Sequence, residues 1–336
     1  MPSIESSLRL EQFAPFEPRG WLKNAHVQSI LTSSPWRKWL VRRRSADYRA
    51  RSVERILTTP DGVQLQGFRN DPIEPRHDGL AILLHGWEGS VDSNYLLDAA
   101  QALDQAGMAT FRLNFRDHGD SHHLNEDLFH SCRLDEVLQA AAMLVAEHDR
   151  GPVFLVGFSL GGNFALRIAR HAPSAGFGLD RVVAVSPVIR PQNAMAAMEQ
   201  GLSVYEQYFV RKWSRSLKRK QALYPERYNL DQWLKHRNLS DQTRHLIEAY
   251  TDFEDLNSYF DGYAVAGDYL SDLTVSTTII TAEDDPIIPV GDFRHLPSPA
   301  AMTLEIWPYG GHCGFIQNWR CDSWIANRIV SELCKV

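Results

Sequence analysis

The chain has 336 residues, 44% of them hydrophobic and 23% charged, with a formal net charge of −6. That is enough apolar material for a sizeable core, and it lacks the basic excess that nucleic acid or an anionic membrane calls for. No apolar run reaches the length of a membrane-spanning helix, and the four cysteines, Cys132, Cys313, Cys321 and Cys334, have no metal-ligand spacing.

The opening residues, Met1-Pro2-Ser3-Ile4-Glu5-Ser6-Ser7, lack the basic-then-apolar pattern of a secretory signal, so reduced thiols and a cytoplasmic location are expected. Residues 1–51 are predicted to be an extension that packs on the core. Within it, residues 13–22 read as extended and aromatic, and Trp36-Arg37-Lys38-Trp39-Leu40-Val41-Arg42-Arg43-Arg44 as a solvated basic face with buried tryptophans. A membrane-surface anchor is the less favoured reading of that stretch. A hydrolase domain is expected over residues 52–336. It opens with strands over 52–57 and 63–68, joined by Pro60-Asp61-Gly62 as a hairpin turn.

Next comes the apolar run Leu80-Ala81-Ile82-Leu83-Leu84, ending in His85-Gly86-Trp87. A helix is expected over 93–107 and a strand over 109–115. A polar loop follows, with His118, His122, His123 and His130 beside Asp117 and Asp120. Histidine and carboxylate at short spacing are able to bind zinc, but no His-x-x-x-His pair is fixed on one helix face, so a loop at a site mouth is preferred and no metal is predicted. A helix over 132–148 then leads to the strand Val153-Phe154-Leu155-Val156-Gly157.

Gly157-Phe158-Ser159-Leu160-Gly161-Gly162 sits between that strand and a helix over 160–171. Such a turn strains the serine backbone and needs small neighbours; it lifts Ser159 Oγ above the sheet edge and leaves the Leu160 N–H at a helix N-terminus, where a negative oxygen is held. A strand follows over 181–186. Between 189 and 271 no strand pattern occurs, and the composition is rich in helix formers and aromatics. A structureless connection of that length is implausible, so an inserted helical cap over 190–270 is predicted, with Tyr205, Phe209 and Trp213 as possible pocket walls or internal packing. Strands over 277–281 and 303–307 end in Asp284-Asp285-Pro286 and Gly310-Gly311-His312-Cys313-Gly314-Phe315, and a helix is expected over 319–334. Alternation of strand and helix implies a mostly parallel sheet covered on both faces.

Serine, aspartate and histidine each past a strand end, in that chain order, resemble the α/β-hydrolase fold: a mostly parallel eight-stranded sheet flanked by helices with an inserted helical cap. A narrower resemblance is to the YheT-like hydrolases, a branch with fungal medium-chain ethyl-ester esterase/acyltransferases and vertebrate alpha/beta-hydrolase-domain lipid hydrolases. It rests on Gly20-Trp21-Leu22-Lys23-Asn24-Ala25-His26-Val27-Gln28-Ser29, Asn114-Phe115-Arg116 with His118-Gly119, Phe253-Glu254-Asp255-Leu256 with Gly262-Tyr263 and Asp268-Tyr269, and the acid and histidine motifs. Ser29 stands where that branch has threonine, and Asp117 where it has glycine.

Serine is a poor nucleophile without a base, so Ser159 is assigned that role with His312 as base and Asp285, directly before Pro286 as in the family, as its orienting acid. Trp87 and Leu160 N–H groups are the expected oxyanion hole, and His85 is read as a loop-fixing residue. The expected activity is cleavage of uncharged short- to medium-chain carboxylic esters through an acyl-enzyme, with a small-molecule ester as partner, no cofactor, no nucleic acid and no integral membrane segment. An alcohol acyltransferase and a non-catalytic ligand-binding relative are the alternatives. A haloalkane dehalogenase is disfavoured because the elbow carries Ser159 where that chemistry needs a carboxylate.

Overall fold

The computed structural model describes residues 14–334. The first thirteen residues of the expected N-terminal extension, with Lys335 and Val336, lie outside the described residues.

In chain order the elements are α1 (Ala25–Thr32), α2 (Pro35–Arg44), α3 (Ala46–Ala50), β1 (Val53–Thr58), β2 (Gln64–Asn70), β3 (Leu80–Leu84), α4 (Asn94–Gln105), β4 (Ala109–Leu113), α5 (Leu134–Glu147), β5 (Val153–Phe158), α6 (Leu160–His171), β6 (Arg181–Val185), α7 (Pro191–Gln200), α8 (Ser203–Leu223), α9 (Leu239–Tyr250), α10 (Leu256–Asp261), β7 (Thr277–Ala282), α11 (Val290–Phe293), β8 (Met302–Trp307) and α12 (Trp324–Leu333). Short 3-10 turns lie at Gly20–Lys23 and Trp233–Lys235. The eight strands form one open sheet in the order β1-β2-β4-β3-β5-β6-β7-β8; β2 pairs antiparallel with β1 and β4, and all other pairs are parallel. No helix among the described residues is long and apolar enough to cross a membrane.

Strand period sorts the core into two layers. Leu80, Ile82 and Leu84 of β3 and Leu155 of β5 pack with Val137, Ala141 and Leu144 of α5 and Phe164 and Ile168 of α6. Ala81 and Leu83 of β3 and Val156 and Phe158 of β5 face the other way, onto Leu96, Leu97 and Leu103 of α4 and Ile325, Ile329 and Leu333 of α12. Burying β3 on both faces explains why it reads as a continuous apolar run rather than an alternating one. The predicted hairpin turn closes with Gly62 at φ 82 and its N–H donating 2.8 Å to the Thr59 carbonyl.

The N-terminal region departs from the sequence reading. Residues 14–19 carry no regular structure, but 25–50 are three helices. Their start signals are present: the Asn24 side chain accepts from the His26 and Val27 N–H groups, and Ser34 caps α2 with Pro35 at its first position. The basic stretch is inverted relative to expectation. Trp36 and Trp39 are 52% and 57% exposed, whereas Arg37 is fully buried and its guanidinium lies 2.6 Å from Asp98 on α4. Helical period is the reason: Arg37 and Val41 share the inward face, and the tryptophans, three residues apart, share the outward one. The last helix starts at Trp324 rather than 319, because a β-bridge from Ile316 to Ser323 and Cys321 at φ 61 occupy the intervening residues; Ser323 then caps it.

Candidate active site

Ser159 sits at the junction of β5 and α6 with φ 54 and ψ −117, a strained backbone for a side-chain-bearing residue. The glycines around it are required by close approach. A Cβ on Gly157 would lie 2.1 Å from the Gly161 carbonyl oxygen, and one on Gly161 would lie 2.5 Å from the Leu84 and His85 carbonyl oxygens. The strain is held by bonds on either side: the Ser159 N–H donates to the Val185 carbonyl at 2.9 Å, and the Asn163 N–H donates to the Ser159 carbonyl at 3.0 Å.

Residues far apart in sequence converge there. His312 Nε2 is 2.9 Å from Ser159 Oγ, and His312 Nδ1 is 2.9 Å from Asp285 Oδ2. Asp285 is buried, and its other oxygen accepts the Ile287 and Ile288 N–H groups at 2.8 and 2.9 Å, which fixes the carboxylate plane. Asp284 points elsewhere: its Oδ1 accepts the Gly311 N–H at 2.8 Å. Burial opposes a charge on the His312 ring, but the neighbouring Cys313 sulfur and the Asp285 carboxylate outweigh it and hold the pKa well above the ordinary value. The part due to Cys313 requires a thiolate; with a neutral thiol, Asp285 alone opposes burial.

The Trp87 and Leu160 N–H groups have no hydrogen-bond acceptor among the described residues. Leu160 opens α6, where the first N–H groups lack intrahelical partners. The loop carrying Trp87 is braced by two neutral imidazoles. His85 Nδ1–H donates to the Gly86 carbonyl at 2.7 Å while its Nε2 accepts the Phe115 N–H at 3.2 Å. His118 Nδ1–H donates to the Arg116 carbonyl at 2.7 Å and its Nε2 accepts the Glu88 N–H at 3.2 Å. Burial keeps both rings uncharged, pushing His85 well below its ordinary value and His118 down to about 4. Sequence reasoning missed the part of His118, because nothing in the cluster of histidines marked which one braces the loop.

Two more histidines of that loop are engaged separately. His122 Nε2 bonds to Ser216 Oγ of α8 at 2.8 Å, and His130 packs edge-on to Phe253 and Tyr259. No group of three His, Cys, Asp or Glu side chains among the described residues is arranged to hold a metal ion. Asp117, at φ 58, forms a buried ion pair with Lys220 of α8 at 2.7 Å. Asparagine and aspartate tolerate that conformation better than most residues, which accounts for an acid where the resembling branch has glycine.

A cleft of about 800 Å³, counted to its open mouth, begins at Ser159 and Leu160. Its walls are mainly apolar, with Met195, Met198, Leu246, Phe260 and Ile288 among them. Helices α7–α10, all between β6 and β7, supply much of that wall. Trp87 lines it, stacked on Phe209 at 5.1 Å and edge-on to Trp213 at 5.2 Å. Phe209 and Trp213 therefore face the cavity, whereas Tyr205 turns away and its hydroxyl lies 2.8 Å from His26 Nδ1 on α1.

Comparison with known proteins agrees with this architecture. The profile of the alpha/beta hydrolase family matches residues 81–320. The Escherichia coli (strain K12) protein described as "Putative esterase YheT" is 28% identical over 349 residues, covering 96% of each chain. Among solved structures, the esterase Pf2001 of Pyrococcus furiosus superposes with a TM-score of 0.56 at 16% identity, covering 87% of this chain and 94% of that one. The 2,6-dihydroxy-pseudo-oxynicotine hydrolase superposes with a TM-score of 0.58 at 16% identity, covering 87% and 71%. These two likenesses are of fold.

Proposed function

The chain belongs to the alpha/beta hydrolase family, and from that premise we propose that it is a serine esterase acting on uncharged carboxylic esters. The observation that carries the proposal is the unbroken hydrogen-bond chain Ser159–His312–Asp285, with 2.9 Å at each link. In this reading His312 Nε2 takes the Ser159 proton as Oγ attacks the ester carbonyl. Asp285 holds the opposite ring nitrogen and balances the imidazolium. The tetrahedral oxyanion is received by the Trp87 and Leu160 N–H groups, each worth about 3 kcal/mol of transition-state stabilisation. Collapse expels the alkoxide, which takes the proton from His312 Nε2 and leaves as the alcohol. Water then attacks the acyl-enzyme by the same route and releases the acid.

The apolar walls favour a short- to medium-chain acyl group, and the segment 190–270 is proposed to act as the cap that shapes that pocket. Such walls also limit water at the acyl-enzyme, so an added alcohol is a competing acceptor and acyl transfer is the second reading. Labelling with a fluorophosphonate probe and turnover of p-nitrophenyl butyrate test the proposal. Ser159→Ala is expected to abolish both while keeping the parent circular dichroism spectrum. Turnover above a trace by the purified variant sinks the assignment. Product analysis with and without ethanol separates hydrolysis from transfer.

A further inference from the structure

We infer that helix α1 positions His312, through Gln28 and Ser29, a role that rests on the serine-esterase reading above. The His312 N–H donates to Ser29 Oγ at 2.9 Å, and that hydroxyl in turn donates to the Ala25 carbonyl at 2.8 Å. Gln28 is fully buried and uses both ends of its amide. Its Nε2 donates to the Leu22 carbonyl at 2.8 Å and to the Ile316 carbonyl at 3.0 Å, while its Oε1 accepts the Ile316 N–H at 2.8 Å. The loop after β8 is thus tied to α1 at residues 312 and 316, across 283 and 288 positions of sequence.

The fit is steric as well as polar. A Cβ on Gly311, which has φ 54, would lie 2.5 Å from the Ala25 carbonyl oxygen and 2.6 Å from Ser29 Oγ. A Cβ on Gly314 would lie 2.8 Å from Gln28 Oε1. Asp284 holds the Gly311 N–H, so the loop is bonded to α1 as well as to the acid loop. Within itself the segment has weaker support: the Gly314 and Phe315 N–H groups both donate to the Gly310 carbonyl at 3.2 Å. A glycine-rich loop has little intrinsic preference for one conformation, so these external bonds hold the backbone from which the imidazole reaches Asp285 and Ser159. Displacing a catalytic group by about 1 Å costs on the order of a hundredfold in rate. Gln28 and Ser29 do not touch substrate; they act through His312.

The test compares Ser29→Ala with Ser29→Thr in the full chain, using p-nitrophenyl butyrate. Ser29→Ala is expected to lower kcat about tenfold with KM within about twofold, since ring placement changes and the binding cleft does not. Its acid limb in kcat/KM is expected to move to lower pH, because a ring drifting from Asp285 loses the carboxylate's share of what raises its pKa. Ser29→Thr, which keeps the hydroxyl, recovers most of the loss. Gln28→Glu has the same shape but cannot donate to the two carbonyls, and it carries the same readouts if Ser29→Ala does not fold. Unchanged kcat and an unmoved acid limb in Ser29→Ala, or equal losses in Ser29→Ala and Ser29→Thr, overturn the inference. A silent Ser29→Ala in an enzyme killed by Ser159→Ala defeats this role alone, whereas a working Ser159→Ala defeats the esterase reading.

Discussion

His312 is pulled in two directions: burial favours the neutral ring, and the Asp285 carboxylate favours the charged one. In the proposed reaction the ring must be neutral to accept the Ser159 proton. Activity is present at pH above the pKa of the ring and is lost as pH falls through it. The Asp285 carboxylate favours the charged ring, so the acid limb of kcat/KM for the parent is expected at higher pH than without that carboxylate. In Asp285→Asn it moves to lower pH, and kcat falls by about 10⁴-fold as the ring loses its enforced tautomer. A pH–rate profile of the two proteins checks this, and an acid limb that stays in place removes Asp285 from its assigned role. Legibility at this scale was uneven. Ser159, Asp285 and His312 announce themselves because each follows a strand and has glycine or proline within two residues. Gln28, Ser29 and His118 carry no such mark, since their work is to bond backbone groups that only the folded chain brings near.

Helix α8 is one of the elements that bind the insertion to the hydrolase body. Its Lys220 reaches Asp117 in a pair whose side chains are 1% and 6% exposed. Ser216 bonds His122, Arg219 pairs with Asp120 at 2.9 Å, and the Tyr224 hydroxyl donates to the His123 carbonyl at 2.8 Å. The exposed Arg219 pair contributes little, but removing one partner of the buried pair strands the other. Lys220→Met is expected to cost about 3 kcal/mol, measured as a lowered urea midpoint. The Asp117 carboxyl, already raised by burial, loses the cation that lowers it and rises further. A midpoint unchanged from the parent contradicts that weight for the pair. From sequence, Asp117 read as a departure from glycine and as part of a disfavoured zinc cluster, and Lys220 was not singled out. Their 103-residue separation hid the pair.

At the scale of the whole molecule the cleft is a joint product: Ser159 and Leu160 come from the sheet edge, and Ala194, Met195, Met198 and Leu246 come from helices inserted between β6 and β7. Burying one more CH₂ is worth about 0.8 kcal/mol, so kcat/KM is expected to rise about fourfold per methylene along a p-nitrophenyl series until the cleft is full. Ala194→Phe places a ring in that space and is expected to shift the optimum to shorter chains while sparing the acetyl ester. A flat series, or an optimum unmoved by the ring, contradicts an acyl site there. The sequence by itself determined the hydrolase fold and the order of its strands along the chain, because buried parallel strands must be apolar throughout and tight turns must use glycine. Those are local demands, written in neighbouring residues. Which face of the basic helix turned inward, how α1 grips the histidine loop, and which aromatics of the insertion face the cleft were decided only by the tertiary structure. Each depends on a partner that packing, rather than the adjacent chain, brings into reach.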